Sequence, residues 1–143
     1  NRLMPRIYRV MLTDADGGPQ VGDKACQLGV RLDGAHQDIA ADENGQVHPQ
    51  TGGMSVNPSF ETLPKHRVPR RLRARLPGAS GNDRNSCFRM NDGPFLGSSL
   101  TPQLRLRPNS ESHGLVEPAQ SMQSADFQRA LADTRTAWIV EEG

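Results

Sequence analysis

Three polar residues stand among neighbours that give them more than a solvent-facing role. Arg9 lies in the run Arg6 to Thr13, whose Ile7, Tyr8, Val10 and Met11 suit a pleated strand. A two-residue period puts Arg9 on the face of Ile7 and Met11, and Arg6 on that of Tyr8. A guanidinium among apolar side chains needs a carboxylate or phosphate partner, unless it lies on an edge strand in water. Ser55 follows Gly52-Gly53, and glycine lets a chain come close to a ligand or to another backbone. The serine then faces a ligand or caps a nearby amide. It is not a nucleophile elbow, because G-x-S-x-G is absent. Glu117 stands between Val116 and Pro118 at the end of a short apolar run. Partial desolvation would suit it to a developing cation; the alternative is a pair with one of the many arginines. His113, four residues earlier, reads as a polar contact or a turn histidine.

The densest charge lies in Lys65-His66-Arg67-Val68-Pro69-Arg70-Arg71-Leu72-Arg73-Ala74-Arg75, with six of the chain's 17 basic residues. Such a run binds an anionic partner (nucleic acid, a pyrophosphate, an acidic protein) or is a solvated face neutralised by acids elsewhere. No aromatic stacking platform lies nearby, which counts against single-strand recognition.

The elements that must position these residues are short. After the first strand, Asp14-Ala15-Asp16-Gly17-Gly18-Pro19 is a turn. Gln46 to Pro49 and Met54 to Val56 read as brief extended pieces around Gly52-Gly53. Residues 57–103 hold six prolines and are expected to be a long excursion with one short helix. Leu104-Arg105-Leu106-Arg107 alternates cleanly and is expected to end at Pro108; Gly114 to Glu117 is a second short strand. Ser124 is placed as an N-cap, with Asp126 in the first turn where the helix dipole favours a carboxylate. Phe127, Ala130, Leu131, Thr134 and Trp138 follow at helical spacing, a helix of about four turns packed on a sheet.

Composition bounds the classes. In 143 residues, 34% are hydrophobic and 4% aromatic, and the net charge is +1. Leu, Ile, Val and Phe make up about a fifth, but the near-zero net charge argues against a disordered chain. The longest apolar run, Ala137 to Val140, is too short to span a bilayer, and no segment reads as a signal peptide. Cys26 and Cys87 make no disulfide framework and are expected as thiols; no metal-ligand spacing occurs.

In chain order, an arginine on the first strand, a serine after glycines and a glutamate on a late strand resemble the R-S-E arrangement of ADP-ribosyltransferases. More closely, the chain resembles small type VI secretion effector toxins with that fold. Ile7-Tyr8-Arg9 is similar to their first strand. Gln50-Thr51-Gly52-Gly53-Met54-Ser55-Val56 is similar to their threonine-glycine-glycine-x-serine-valine segment. Leu104 to Trp138, with Pro118-Ala119 and Met122, is similar to their last strand pair and helix.

The resemblance implies an α+β fold: a small ADP-ribosyltransferase-like split β-sandwich with a C-terminal helix, occupying residues 1–143 and using NAD as substrate. It implies that Arg9 holds a nicotinamide-ribose hydroxyl or a phosphate and that Ser55 supports that ribose. Glu117 would stabilise the oxocarbenium-like transition state as nicotinamide leaves. Tyr8, Gly53 and Arg67 join Arg9 and Ser55 as the expected NAD-binding residues. It further implies an antibacterial toxin, delivered by a dedicated machine into the target-cell cytoplasm, with a cognate immunity protein and an unidentified macromolecular acceptor. A membrane is not expected as a partner. The alternatives are NAD hydrolysis without an acceptor, and a non-enzymatic module gripping nucleic acid or an acidic protein through residues 65–75.

Three departures bear on chemistry. Leu115 stands where many transferases carry the Gln or Glu that engages the acceptor, which argues against arginine modification. The serine segment is Met54-Ser55-Val56 rather than serine-threonine-serine. Pro108-Asn109 stands where glutamine and aspartate are expected.

Overall fold

The computed structural model describes residues 3–143. In chain order its elements are β1 (Ile7–Leu12), β2 (Gln46–Val47), β3 (Met54–Val56), β4 (Asn85–Met90), β5 (Ser98–Ser99), β6 (Leu104–Ser110), β7 (His113–Pro118), β8 (Met122–Gln123), helix α1 (Ser124–Ala132) and β9 (Ile139–Val140). They form one antiparallel sheet in the order β1-β4-β9, a second in the order β3-β7-β6-β5, and the small pair β2-β8. This is an α+β fold of mostly antiparallel strands with a C-terminal helix, as expected.

The two larger sheets touch edge to edge at one place. Tyr8 and Asn57 exchange backbone hydrogen bonds, Tyr8 N–H to the Asn57 carbonyl at 2.7 Å and Asn57 N–H to the Tyr8 carbonyl at 2.9 Å. Beyond that pair β1 and β3 part, and the split opens there.

Strand alternation sorts β1 between two apolar clusters. Ile7 and Met11 enter the larger one with Phe88, Met54, Val56, Leu104, Leu106, Val116, Phe127 and Leu131. Tyr8 and Val10 enter the smaller one with Cys87, Phe60, Leu63, Val68 and Leu72. Burial of such side chains contributes about 1.5–3 kcal/mol each, so both faces of β1 hold it in place.

Three expectations need correction. Residues 57–103 are not a structureless excursion: they contain β4, the central strand of the first sheet, and the short 3-10 turns Phe60–Thr62 and Arg70–Leu72. The prolines exclude long periodic elements, yet single turns suffice to aim Phe60 and Leu72 at the smaller cluster. Pro108 does not end β6. It lies inside the strand, opposite Gly114 and next to a bulge, beyond the reach of β5, which pairs only with Arg105 and Leu106. The helix is shorter than four turns. It spans Ser124–Ala132, its N-cap is Gln123, and a separate 3-10 turn, Arg135–Ala137, precedes β9. The expected apolar face holds: Phe127, Ala130, Leu131, Thr134 and Trp138 are all buried. The Trp138 indole N–H donates to Thr134 Oγ1 at 3.0 Å, and that hydroxyl donates to the Leu131 carbonyl at 2.7 Å. Cys26 and Cys87 are free thiols. No helix among the described residues is long and apolar enough to cross a membrane.

Candidate functional site

A cleft of about 230 Å³ opens where β1 and β3 diverge. Its lining comes from β1 (Arg9, Val10), the 31–38 loop (Arg31, Asp38), the β3 region (Ser55, Asn57), the 62–67 segment (Thr62, Pro64, His66, Arg67) and the start of β7 (His113).

Arg9 anchors the split. Its Nη1 donates to the Ser55 carbonyl at 2.8 Å and its Nη2 to the Gln27 carbonyl at 2.9 Å. The guanidinium thus meets a carbonyl that a continued β1–β3 ladder would otherwise have to serve. Arg9 is only 8% exposed. Its buried Nε–H finds no acceptor among the described residues. Burial lowers its pKa to about 10, with nearby Arg67 and Arg31 adding to the fall and Asp38 opposing it. At neutral pH it remains a cation whose Nε–H is unpaired among the described residues.

The cleft's charges are not all equivalent. Arg31 is held bidentately by Asp38, Nε to Oδ2 at 3.1 Å and Nη2 to Oδ1 at 2.9 Å, and the Arg31 amide also donates to Oδ2. That carboxylate raises the Arg31 pKa and neutralises it locally. Among the described residues the Arg67 side chain meets only a neighbouring imidazole, its Nε donating to His66 Nε2 at 3.2 Å. Arg9 and Arg67 therefore leave the cleft with net positive potential.

Asn57 holds the cleft floor together. Its side-chain amide donates to the Thr62 and Ser112 carbonyls, both at 2.9 Å, tying the 60–62 turn and the β6–β7 hairpin to β3. His113, just past Ser112, places Nδ1 2.8 Å from Asn109 Oδ1. Burial holds its pKa below the usual histidine value.

Of the residues expected to bind NAD, the fold brings Arg9, Ser55 and Arg67 together. Tyr8 goes elsewhere: strand alternation turns it into the smaller apolar cluster, with the Arg6 guanidinium 5.8 Å from its ring centroid. Gly53 also has another reason to be glycine. A Cβ there would lie 2.3 Å from the Val116 carbonyl oxygen, so the close approach is to β7 and not to a ligand. Gly52 adopts φ +147°, and a Cβ on it would lie 2.3 Å from the Asp38 carbonyl oxygen.

Glu117 is the main correction to the sequence reading. By register it shares the outer face of the second sheet with Ser55, Leu115 and His113. Yet it does not line the cleft and is not a lone carboxylate. It is fully buried under Arg105 and Arg107 of β6. Arg105 Nε donates to Oε2 at 2.9 Å, Arg107 Nε to Oε1 at 2.7 Å, and the Gln50 amide to Oε1 at 3.0 Å. Desolvation pushes its pKa up, but the two arginines and the Gln50 amide outweigh it and the net shift is downward.

The basic run is likewise largely engaged within the chain. Val68 and Leu72 are core residues. Arg71 pairs with Glu142 at 3.2 Å, Arg75 donates to the Glu142 carbonyl at 2.6 Å, and Arg73 donates to the Ala79 carbonyl at 3.1 Å.

Asn57, His66 and the Arg31–Asp38 pair were not legible as site residues. Asn57 follows Ser55 by two, so strand alternation already aligned the two side chains. Arg31 and Asp38 flank a turn, and nothing local ties them to residues 9 or 55. No protein-family model matches this sequence, and no curated protein matches it at a significant level.

Proposed function

We propose that the chain is an NAD-consuming toxin domain of the ADP-ribosyltransferase type, with the split between β1 and β3 as its NAD site. The observation that carries this reading is Arg9: a buried guanidinium in the cleft lining, pinned by two carbonyls, whose Nε–H has no acceptor among the described residues. An anionic or hydroxyl-rich ligand supplies that acceptor, and Arg67 supplies a second positive charge for a pyrophosphate. At about 230 Å³ the cleft is below the ~300–1,000 Å³ of a drug-sized pocket, so it takes one end of the dinucleotide, the nicotinamide ribose and its phosphate.

In this reading Ser55 lines the ribose pocket. Glu117 lies outside the cleft, and its pairs with Arg105 and Arg107 make it a positioning residue for the β6–β7 hairpin. The target is a macromolecule in a neighbouring bacterial cytoplasm, reached through type VI secretion, and an immunity protein restrains the domain in the producer. The internal pairing of Arg71, Arg73 and Arg75 favours the cleft over residues 65–75 as the functional surface.

The test is nicotinamide release from NAD by the purified chain, alone and with a bacterial lysate. Release is expected from the wild type and is expected to fall sharply in Arg67→Gln. Release that depends on lysate marks transfer, and release without it marks hydrolysis. A folded, toxic sample that releases no nicotinamide in either condition overturns the NAD reading.

A further inference from the structure

Resting on the NAD reading, we propose that His113 is the base that accepts the acceptor's proton, and that the acceptor is a neutral hydroxyl. The side chain lines the same cleft as Arg9, Ser55 and Asn57. Strand register puts it on the sheet face of Leu115 and Glu117. Its backbone is fixed, because Asn57 grips the adjoining Ser112 carbonyl at 2.9 Å. Its tautomer is fixed as well: the Asn109 amide oxygen, 2.8 Å from Nδ1, requires the proton there. Nε2 then keeps its lone pair and bonds to no other described residue.

The other cleft groups do not compete for this role. His66 Nε2 already accepts from Arg67, and Asp38 is taken by Arg31. Burial keeps the His113 imidazole neutral at pH 7, the form a base needs. The acceptor's class follows from the step itself: a guanidinium or an ammonium offers no acceptor lone pair for attack, whereas a neutral hydroxyl attacks as its proton leaves to His113 Nε2.

The step balances. The bond between ribose C1′ and the nicotinamide nitrogen breaks, its electron pair neutralising the pyridinium. A lone pair of the acceptor oxygen forms the new C1′–O bond. The hydroxyl proton passes to His113 Nε2 and from there to solvent at the cleft mouth.

The experiment follows nicotinamide release by the full chain with NAD, using water, added methanol and added agmatine as acceptors. His113→Gln is expected to lower kcat about a hundredfold while leaving the KM for NAD unchanged. Wild-type kcat is expected to fall as pH drops below the ordinary histidine range. That acid limb is expected to vanish in His113→Gln and persist in His66→Gln, the control for the cleft's other imidazole. The other charged or titratable groups that face the cleft are Arg9, Arg31, Asp38, His66 and Arg67. Free imidazole is expected to restore activity to His113→Ala, which a purely structural role does not allow. Methyl-ADP-ribose among the products marks a hydroxyl acceptor and free ADP-ribose marks water; both support the proposal. An unchanged kcat and acid limb in folded His113→Gln, or agmatine as the preferred acceptor, overturns it. A wild type that releases no nicotinamide overturns the NAD reading itself.

Discussion

At the scale of single residues, partners decide what a charge does. Glu117 and Asp38 are both carboxylates beside arginines, but only Glu117 is fully buried, under two guanidiniums and one amide. Glu117→Gln puts an NH2 group against an arginine donor and leaves the partly exposed Arg105 and Arg107 without their carboxylate. It is expected to destabilise the fold by about 2–3 kcal/mol, read as a lower midpoint in urea. Loss of activity in this variant is therefore read only where melting shows the protein folded at the assay temperature. Because the folded-state pKa of Glu117 is lowered, its stabilisation is fully present above about pH 4.5 and is lost as pH falls through the lower folded value. The wild type is thus expected to lose stability on acidification more steeply than Glu117→Gln, a difference that denaturation at a series of pH values measures. Arg9→Lys keeps a cation but cannot bridge the Ser55 and Gln27 carbonyls with a rigid fork. It is expected to weaken NAD binding and to lower stability by about 1–2 kcal/mol, read by titration and by melting.

At the scale of elements, close approaches set which glycines are required. The second glycine before Ser55 lets β3 lie against β7 at the Val116 carbonyl. Gly53→Ala is expected to push those strands apart, at about 1–3 kcal/mol, with faster amide exchange in β3. The carboxy-terminal turn makes a comparable long-range connection. Arg135 donates to both Asp16 carboxylate oxygens, at 2.6 and 2.7 Å, and to the Pro19 carbonyl at 2.9 Å, clasping the first turn to the end of the chain. The arginine thereby gives the 14–19 turn a function that its Asp-Gly-Gly-Pro composition does not reveal.

At the scale of the whole molecule, the basic run is held down by the chain's last residues. Glu142 pairs with Arg71, accepts from the Cys87 amide, and offers its carbonyl to Arg75. Glu142→Gln is expected to release Arg71 and strengthen salt-sensitive retention on heparin. Retention equal to that of the wild type would mean that this pairing does not mask the patch.

Periodicity alone located β1, the β3 segment, the β6–β7 hairpin and the apolar face of α1, because alternation and helical spacing are written locally in residue type. It also marked Arg9, while the two preceding glycines marked Ser55. Strand β4 stayed hidden: Asn85 to Met90 mixes polar and apolar residues in a proline-rich stretch, and its place between β1 and β9 is a long-range pairing. The same limit explains Glu117, whose arginines come from β6 by register, and His113, whose cleft exists only where β1 leaves β3. Local sequence sets what a segment can form and which face is apolar. Only the closed fold decides which distant charges meet, because that depends on register and on loops whose ends are brought together by the two cores.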